Sequence, residues 1–365
     1  MLEHGSGDLL AADVDALVNT VNCVGVMGKG LALQFKRQYP DNYHQYRTAC
    51  ARNEVRLGQM FVVELDSMTG PKYIINFPTK DHWKAKSNLS DIESGLHDLV
   101  RVIAERGITS IAVPPLGAGN GGLAWSDVEP LIVNALDDLP GVRVVLYTPS
   151  NAVRHLAPNP IKMTWGRAAT IRLIQEYVNR RLAAEPWESV SGASHLEIQK
   201  LLYFAGLHAP ELKLKFEQGN YGPYSDQVRH LVQEMEAVYL TGFGDGTAPV
   251  QDLNPIEPTE SGKSEANTCL VDTELGQEVD ARIVQPVLQT IAGFEGPYAI
   301  ELLASTHWVA TNQDCRTSRE AWSAIQEWTP RKRRMFTEEH VQVAWDSLVK
   351  SGDIRSGSPH AEPAT

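Results

Sequence analysis

Through the first 160 residues, short β-rich runs alternate with stretches of helical periodicity, and this alternation restricts the fold more than any other feature. Ala16–Val18, Met60–Leu65, Tyr73–Phe77, Ile108–Val113 and Val142–Tyr147 read as strands, being rich in β-branched and aromatic residues. Between the later ones Leu89, Ile92, Leu96, Leu99, Val100 and Ile103 recur at helical spacing. A further helix is predicted to open at Ser126, with Glu129 three residues on giving a capping-box pattern. Strands and helices in alternation build a sheet covered by helices, and ligands of such sheets bind at the loops beyond the strand ends.

Two glycine-rich loops lie where such a ligand would sit. Asn19 to Gly30 leaves a strand and enters the helical run Leu31–Phe35; Pro114 to Gly122 joins the strand ending at Val113 to the helix near Ser126. Glycine lets the backbone approach a ligand closely and aim successive N–H groups at it, and a helix N-terminus adds a field that favours phosphate. Two such loops suit a diphosphate gripped from both sides. Gly28-Lys29 is not a P-loop, because Cys23 and Gly30 stand where that motif requires a glycine and a Ser or Thr. Gly117, Gly119 and Gly122 match G-x-G-x-x-G, but not on a first βα turn, and Asp137 and Asp138 end a helix rather than the following strand. The spacing therefore disfavours a hydride-transfer dinucleotide fold.

Neither a G-x-S-x-G elbow, an H-E-x-x-H pair nor a zinc-spaced His/Cys cluster occurs, so no metal and no cofactor is expected. Lys80 ends the run Asn76-Phe77-Pro78-Thr79-Lys80, placing an amine at a strand end. Burial and neighbouring cations (Lys84, Lys86 or protonated His82) are expected to lower its pKa, fitting it for nucleophilic or proton-transfer work; the alternative is a lysine that only contacts phosphate.

After Pro160, strands become scarce. Arg167–Leu182 and Leu196–Leu207 repeat apolar residues at helical spacing, so a mainly helical second domain is expected from about residue 156 to 350, with a frayed tail over 351–365. At 365 residues, 42% of them hydrophobic and 21% charged, the chain has material for two folded domains. Its 33 basic and 45 acidic residues give a net charge of −12, which disfavours a general nucleic-acid binder. The excess is uneven: 14 basic against 17 acidic residues through 160, then 19 against 28. Glu234 to Asp280 alone holds eleven acidic residues and one lysine, Lys263, and Gly242–Asn267 reads as a long loop. That stretch is either a solvated insertion or a docking surface for a basic protein. The four cysteines, Cys23, Cys50, Cys269 and Cys315, form no C-x-x-C pair; with no leader-like N-terminus and no long apolar run, a cytoplasmic, membrane-free setting is expected.

The segments Gly7-Asp8-Leu9-Leu10, Asp15 to Asn22, Gly28 to Ala32, Asn76 to Lys80 and Pro115 to Trp125 together resemble a macrodomain. More closely they resemble the DarG branch, antitoxins that reverse ADP-ribosylation of thymidine in DNA. The resemblance covers nearly all of residues 1–155 and implies a three-layer α/β/α fold with a mixed central sheet. It also implies a DNA ADP-ribosyl glycohydrolase acting on ADP-ribosylated DNA. It assigns adenine recognition to Asp8 beside Leu9, orientation of the distal ribose or base to Asn22, and the catalytic amine to Lys80. Asn19, Gly28, Lys29, Gly30, Leu31, Thr79, Leu116, Gly117, Ala118, Gly119, Asn120, Gly121, Gly122 and Leu123 are implied as further ligand contacts. A relative of this branch has an aspartate in the second loop where this chain reads Gly119-Asn120-Gly121-Gly122, so the general acid is left among Lys80, His82 and the substrate phosphate. A non-catalytic ADP-ribose reader and an O-acetyl-ADP-ribose deacetylase are the alternatives.

In the second half, His195 to Phe204, Gly219 to Ser225 and Ile300 to Trp308 resemble a Panacea (SocA-like) antitoxin domain. This implies that the half binds a DarT-like DNA ADP-ribosyltransferase toxin. Leu201, Leu202 and Phe204 are expected in its core, Gly222-Pro223 in a turn, and the basic run Arg331–Arg334 at a solvated helix start.

Overall fold

Five parallel strands and one antiparallel edge strand form the sheet of the first unit, ordered β1-β6-β5-β2-β4-β3. The strands are β1 (Leu2–Gly5), β2 (Ala16–Asn22), β3 (Phe61–Glu64), β4 (Tyr73–Lys80), β5 (Ser110–Val113) and β6 (Arg143–Tyr147), with only β3 antiparallel to its neighbour. Helices α1 (Gly30–Gln38), α2 (Pro40–Ala51), α3 (Leu89–Arg106) and α4 (Trp125–Leu136) cover it. The computed structural model describes residues 1–65, 70–149, 161–184, 190–245 and 255–355. Two compact units divide the chain: Met1–Ala157 with Asp245–Ala248, and the remainder. Among the described residues no helix is long and apolar enough to cross a membrane.

The centre of the sheet follows from β2 and β4, which are buried along almost their whole length and so read as continuous apolar runs. Helix α3 lays Ile92, Leu96, Leu99 and Ile103 on one face against the sheet and stops at Gly107, whose left-handed backbone closes the helix end. Asp15 fixes the entry to the sheet: its carboxylate accepts from the backbone N–H and hydroxyl of Thr109, which with Lys72 hold its pKa down to about 2.

One expectation changes here, and two further elements had no reading in the sequence. Helix α4 begins at Trp125 with Ala124 as its cap and no side-chain capping bond; Ser126 donates to Asp127 instead, so the capping box does not form. Strand β1 carries the exposed Glu3 and His4 and has no apolar pattern to announce it. Helix α2 is largely polar, and only Asn42, Tyr46, Ala49 and Cys50 of it are buried.

The second unit is mainly helical. It runs through α5 (Trp165–Ala184), α6 (His195–His208), the hairpin β7 (Glu217–Gly219) and β8 (Gly222–Tyr224), and α7 (Asp226–Met235). A short pair follows, β9 (Leu240–Thr241) with β10 (Glu257–Pro258), then α8 (Glu260–Asp272) and α9 (Glu274–Gln277). The chain closes with α10 (Gln285–Thr290), α11 (Pro297–Asn312), α12 (Ser318–Trp328), α13 (Pro330–Met335) and α14 (Glu338–Ser351). Leu201, Leu202 and Phe204 of α6 are buried, and a reciprocal Ser194–Glu197 capping box starts that helix.

Several residues of this half depart from their sequence reading. Gly222-Pro223 belongs to β8 rather than to a turn, which falls at Asn220-Tyr221. Much of the expected acidic loop is ordered: Thr259 caps α8 by accepting from the Gly262 N–H, and Glu236 is buried, accepting from the Phe243 and Gly244 N–H groups. Its central residues 246–254 lie outside the described residues, as do the domain junction at 150–160 and the tail from 356. Ser351–Arg355 are not frayed, because Ile354 is buried and Asp353 accepts from the Thr290 hydroxyl. The basic run is not wholly solvated either. Lys332 is fully buried, donating to Glu301 at 2.6 Å and to Ser305 at 2.9 Å, while Arg331 donates to the same carboxylate at 2.7 Å.

Candidate functional site

All five parallel strands point the same way, so the segments leaving β1, β5, β2 and β4 emerge along one edge of the sheet. Asp8 follows β1, the first glycine-rich loop follows β2, Lys80 ends β4, and the second loop follows β5. From β1 to β4 is four strand spacings, about 19 Å, a run suited to an elongated ligand.

At one end Asp8 is exposed and caps the turn Leu9–Ala11, its Oδ1 accepting from the Leu10 N–H at 3.0 Å; Leu9 behind it is buried. At the other end Asn22 and Lys80 face each other across the β2–β4 pairing, where the register slips between Val21 and Asn22. Asn22 braces the first loop with both ends of its amide. Nδ2 donates to the Val26 carbonyl at 2.6 Å and Oδ1 accepts from the Val24 and Val26 N–H groups, while Tyr46 donates to the Asn22 carbonyl at 2.6 Å. Asn19 is enclosed in the core, where its amide donates to Asn76 Oδ1. Thr79 and Leu116 are buried as well, whereas Lys29, Gly119, Asn120 and Gly122 are exposed, and Gly28, Leu31, Ala118 and Leu123 are half-buried.

Lys80 is half-buried, and its Nζ donates to the Asn120 carbonyl at 2.9 Å. Burial, and after it the positive charge of Lys29, lowers the Lys80 pKa. The depressing cation is thus Lys29 from the first loop, not Lys84, Lys86 or His82. Spacing along the chain favours those three, but folding brings Lys29 to Lys80 from 51 residues away.

The second loop is shaped by two glycines. Gly117 takes φ +68°, a conformation that L side chains resist, and a Cβ on Gly121 would lie 2.4 Å from both the Gly117 carbonyl oxygen and Ser87 Oγ. Ser87 is the residue that sequence reading misses. It is buried, its N–H donates to the Gly121 carbonyl at 3.0 Å, and its hydroxyl has no partner among the described residues. Nothing in the local pattern marks it, because its partner lies 34 residues on. A third tie completes the frame: the Cys23 N–H donates to the Asp81 carbonyl at 2.9 Å. The site therefore combines two backbone-rich loops with one amine of lowered basicity, an arrangement able to hold a diphosphate and present a nucleophile to a neighbouring carbon.

The Macro domain family model matches residues 18–132. Over 350 residues the chain is 52% identical to a DNA ADP-ribosyl glycohydrolase of Mycobacterium tuberculosis, taking in 96% of this chain and 99% of that one. A DNA ADP-ribosyl glycohydrolase of Thermus aquaticus is 41% identical over 359 residues, 97% of this chain and 95% of its own. A third relative, from Thermosipho africanus, is a fusion of a DNA ADP-ribosyl transferase with a DNA ADP-ribosyl glycohydrolase; it is 38% identical over 158 residues, 39% of this chain and 40% of that one.

Proposed function

The chain belongs to the DNA ADP-ribosyl glycohydrolase family, and on that premise we propose that its first unit removes ADP-ribose from thymidine bases in DNA, with Lys80 as the catalytic amine. The observation that carries this is the position of Lys80, held by Asn120 of one glycine-rich loop and reduced in basicity by burial and then by Lys29 of the other. In this reading Asp8 meets the adenine end, the loops 25–30 and 117–122 hold the diphosphate and distal ribose, and Asn19 and Asn22 act by shaping the first loop.

The neutral Lys80 amine attacks the anomeric carbon of the distal ribose. The bond from that carbon to the thymine nitrogen breaks with its electron pair left on thymine, which takes up a proton from the substituted ammonium that the attack forms. Water then cleaves the new carbon–nitrogen bond, returning the lysine and free ADP-ribose. Lowered basicity serves both steps, since more of the amine is neutral at pH 7 and the proton it carries is more readily given up.

The test is incubation with a single-stranded oligonucleotide ADP-ribosylated on thymidine. Wild type releases ADP-ribose and Lys80→Ala does not, while still binding ADP-ribose. Tight binding without turnover by both proteins would refute the reading.

The second unit, in the same proposal, binds and neutralises a DarT-like toxin in the cytoplasm. Support comes from the transferase–glycohydrolase fusion among the relatives and from the acid excess of this half. Several of its acids are internally paired, Asp280 with Arg172 and Glu278 with Arg282 among them, so the exposed Asp272 and Glu274 are better placed to meet a cationic groove. Replacing both by amides is expected to slow association with the toxin at low salt; an unchanged rate and salt dependence would count against the contact.

A further inference from the structure

Between Lys80 and Ser87 the chain runs Asp81-His82-Trp83-Lys84-Ala85-Lys86, six residues that are all exposed. This segment is pinned at both ends to the loops of the site, through the Cys23 N–H to Asp81 carbonyl bond and the Ser87 N–H to Gly121 carbonyl bond. Its shape is set internally: the Ala85 N–H donates to the His82 carbonyl at 2.9 Å, and the Lys84 N–H donates to His82 Nδ1 at 3.2 Å. The outcome is an aromatic surface at the rim of the site. The His82 and Trp83 rings lie 5.5 Å apart at 30°, and Lys84 Nζ sits 4.9 Å from the centre of the Trp83 ring.

Trp83 is 46% exposed and, among the described residues, belongs to none of the hydrophobic clusters of the first unit. Val24 and Val26, also exposed, belong to the first loop, which is tied to the same segment. Lys29, Lys80, Lys84 and Lys86 together concentrate positive charge on these loops, although the first 160 residues carry net negative charge; Asp81 is the one acid within the segment. Aromatic rings interleaved with lysines are what a single nucleic-acid strand requires: every base has a face that stacks on a ring, and every phosphate favours a nearby ammonium.

We propose that the 82–86 segment is a platform for the DNA strand flanking the modified thymidine, with Trp83 stacking a neighbouring base and Lys84 and Lys86 meeting its phosphates. The inference rests on the DNA substrate proposed above and adds where the rest of the strand goes. A modified base engaged at Lys80 has a strand continuing on either side of it, and this segment follows Lys80 directly in the chain.

The experiment compares kcat/KM for an ADP-ribosylated single-stranded oligonucleotide with that for the ADP-ribosylated thymidine mononucleotide, which has no flanks. Wild type is expected to favour the oligonucleotide. Trp83→Ala should lower the ratio by about 5- to 100-fold, through KM rather than kcat, as expected for loss of one stacked base, and Trp83→Phe should restore most of it. In Lys84→Gln/Lys86→Gln the salt dependence of the oligonucleotide KM should flatten by roughly one to two ions. A wild-type ratio near one, or a Trp83→Ala ratio within twofold of wild type, overturns the platform while leaving the glycohydrolase reading intact. Release of ADP-ribose from neither substrate by wild type overturns the substrate reading, and the platform with it.

Discussion

Replacing Glu301 by leucine tests how the second unit tolerates charge in its interior. Glu301 is 1% exposed and Lys332 is fully buried, with the two linked at 2.6 Å; among the described residues the other hydrogen bond of the Lys332 ammonium is to Ser305 Oγ. Removing one partner of a buried pair strands the other charge, at a cost of about 3–5 kcal/mol. The lysine has an escape, which is to lose its proton. Burial already lowers its pKa and Glu301 opposes that shift, so removing Glu301 lowers it further. Keeping the lysine neutral at pH 7 against an unfolded pKa near 10.4 costs at most about 4.6 kcal/mol, at about 1.36 kcal/mol per pH unit, which falls in the same range. The sign follows from proton counting: the folded variant binds fewer protons than the unfolded chain, so its stability rises with pH, and by pH 9 the penalty shrinks to about 2 kcal/mol. Six of the eight tryptophans lie beyond residue 158, so urea unfolding followed by tryptophan fluorescence reports mainly on this unit. Expected is a Glu301→Leu transition weakened by about 3–5 kcal/mol at pH 7 and by clearly less at pH 9, with Glu301→Leu/Lys332→Met recovering most of the loss. A loss under 1 kcal/mol at pH 7, or one of equal size at both pH values, would refute the reasoning.

Two further predictions concern acid stability and the glycine frame. Burial lowers His195 and His307 to about 4, so each is neutral in the folded state and charged in the unfolded chain below pH 6.5. Folding then binds fewer protons, and the stability each contributes is lost as pH falls from 6.5 towards 4, at up to about 1.4 kcal/mol per pH unit per residue. Urea midpoints at pH 6.5, 5.5 and 4.5 check this, and His195→Gln should flatten the slope. Gly121→Ala places a methyl group 2.4 Å from the Gly117 carbonyl and Ser87 Oγ, forcing the second loop to move by about 1 Å. Turnover is expected to fall about 100-fold with little change in thermal midpoint, and a rate within threefold of wild type would show that the loop accommodates the change.

The layered α/β architecture was legible because β2 and β4 are buried on both faces and α3 keeps one apolar stripe, so their sequences carry the period of their surroundings. Strand β1 was not, since an edge strand with Glu3 and His4 exposed has no such period. The position of Lys80 could be read from the strand that carries it. Its partners could not, because Lys29, Asn120 and Ser87 reach it or its frame through backbone groups and fields that leave no mark on residue type. In the second half the alternation of Thr, Gly and acidic residues looked like loop, yet Thr259 is a helix cap and Glu236 a buried acceptor. The Thr259 cap is a local bond to the Gly262 N–H three residues on, whereas Glu236 is satisfied only where the chain folds back to Phe243 and Gly244.

The three ties that frame the site use carbonyls of Asp81, Asn120 and Gly121, N–H groups of Cys23 and Ser87, and one lysine amine. None of them reads the side chain of any residue from His82 to Lys86. Substitution at Trp83, Lys84 or Lys86 therefore leaves those ties in place, and these positions can drift towards other flanking sequences while the chemistry stays in place. What a lineage cannot accept is proline at 23 or 87, where a missing N–H would unfasten the segment from a loop.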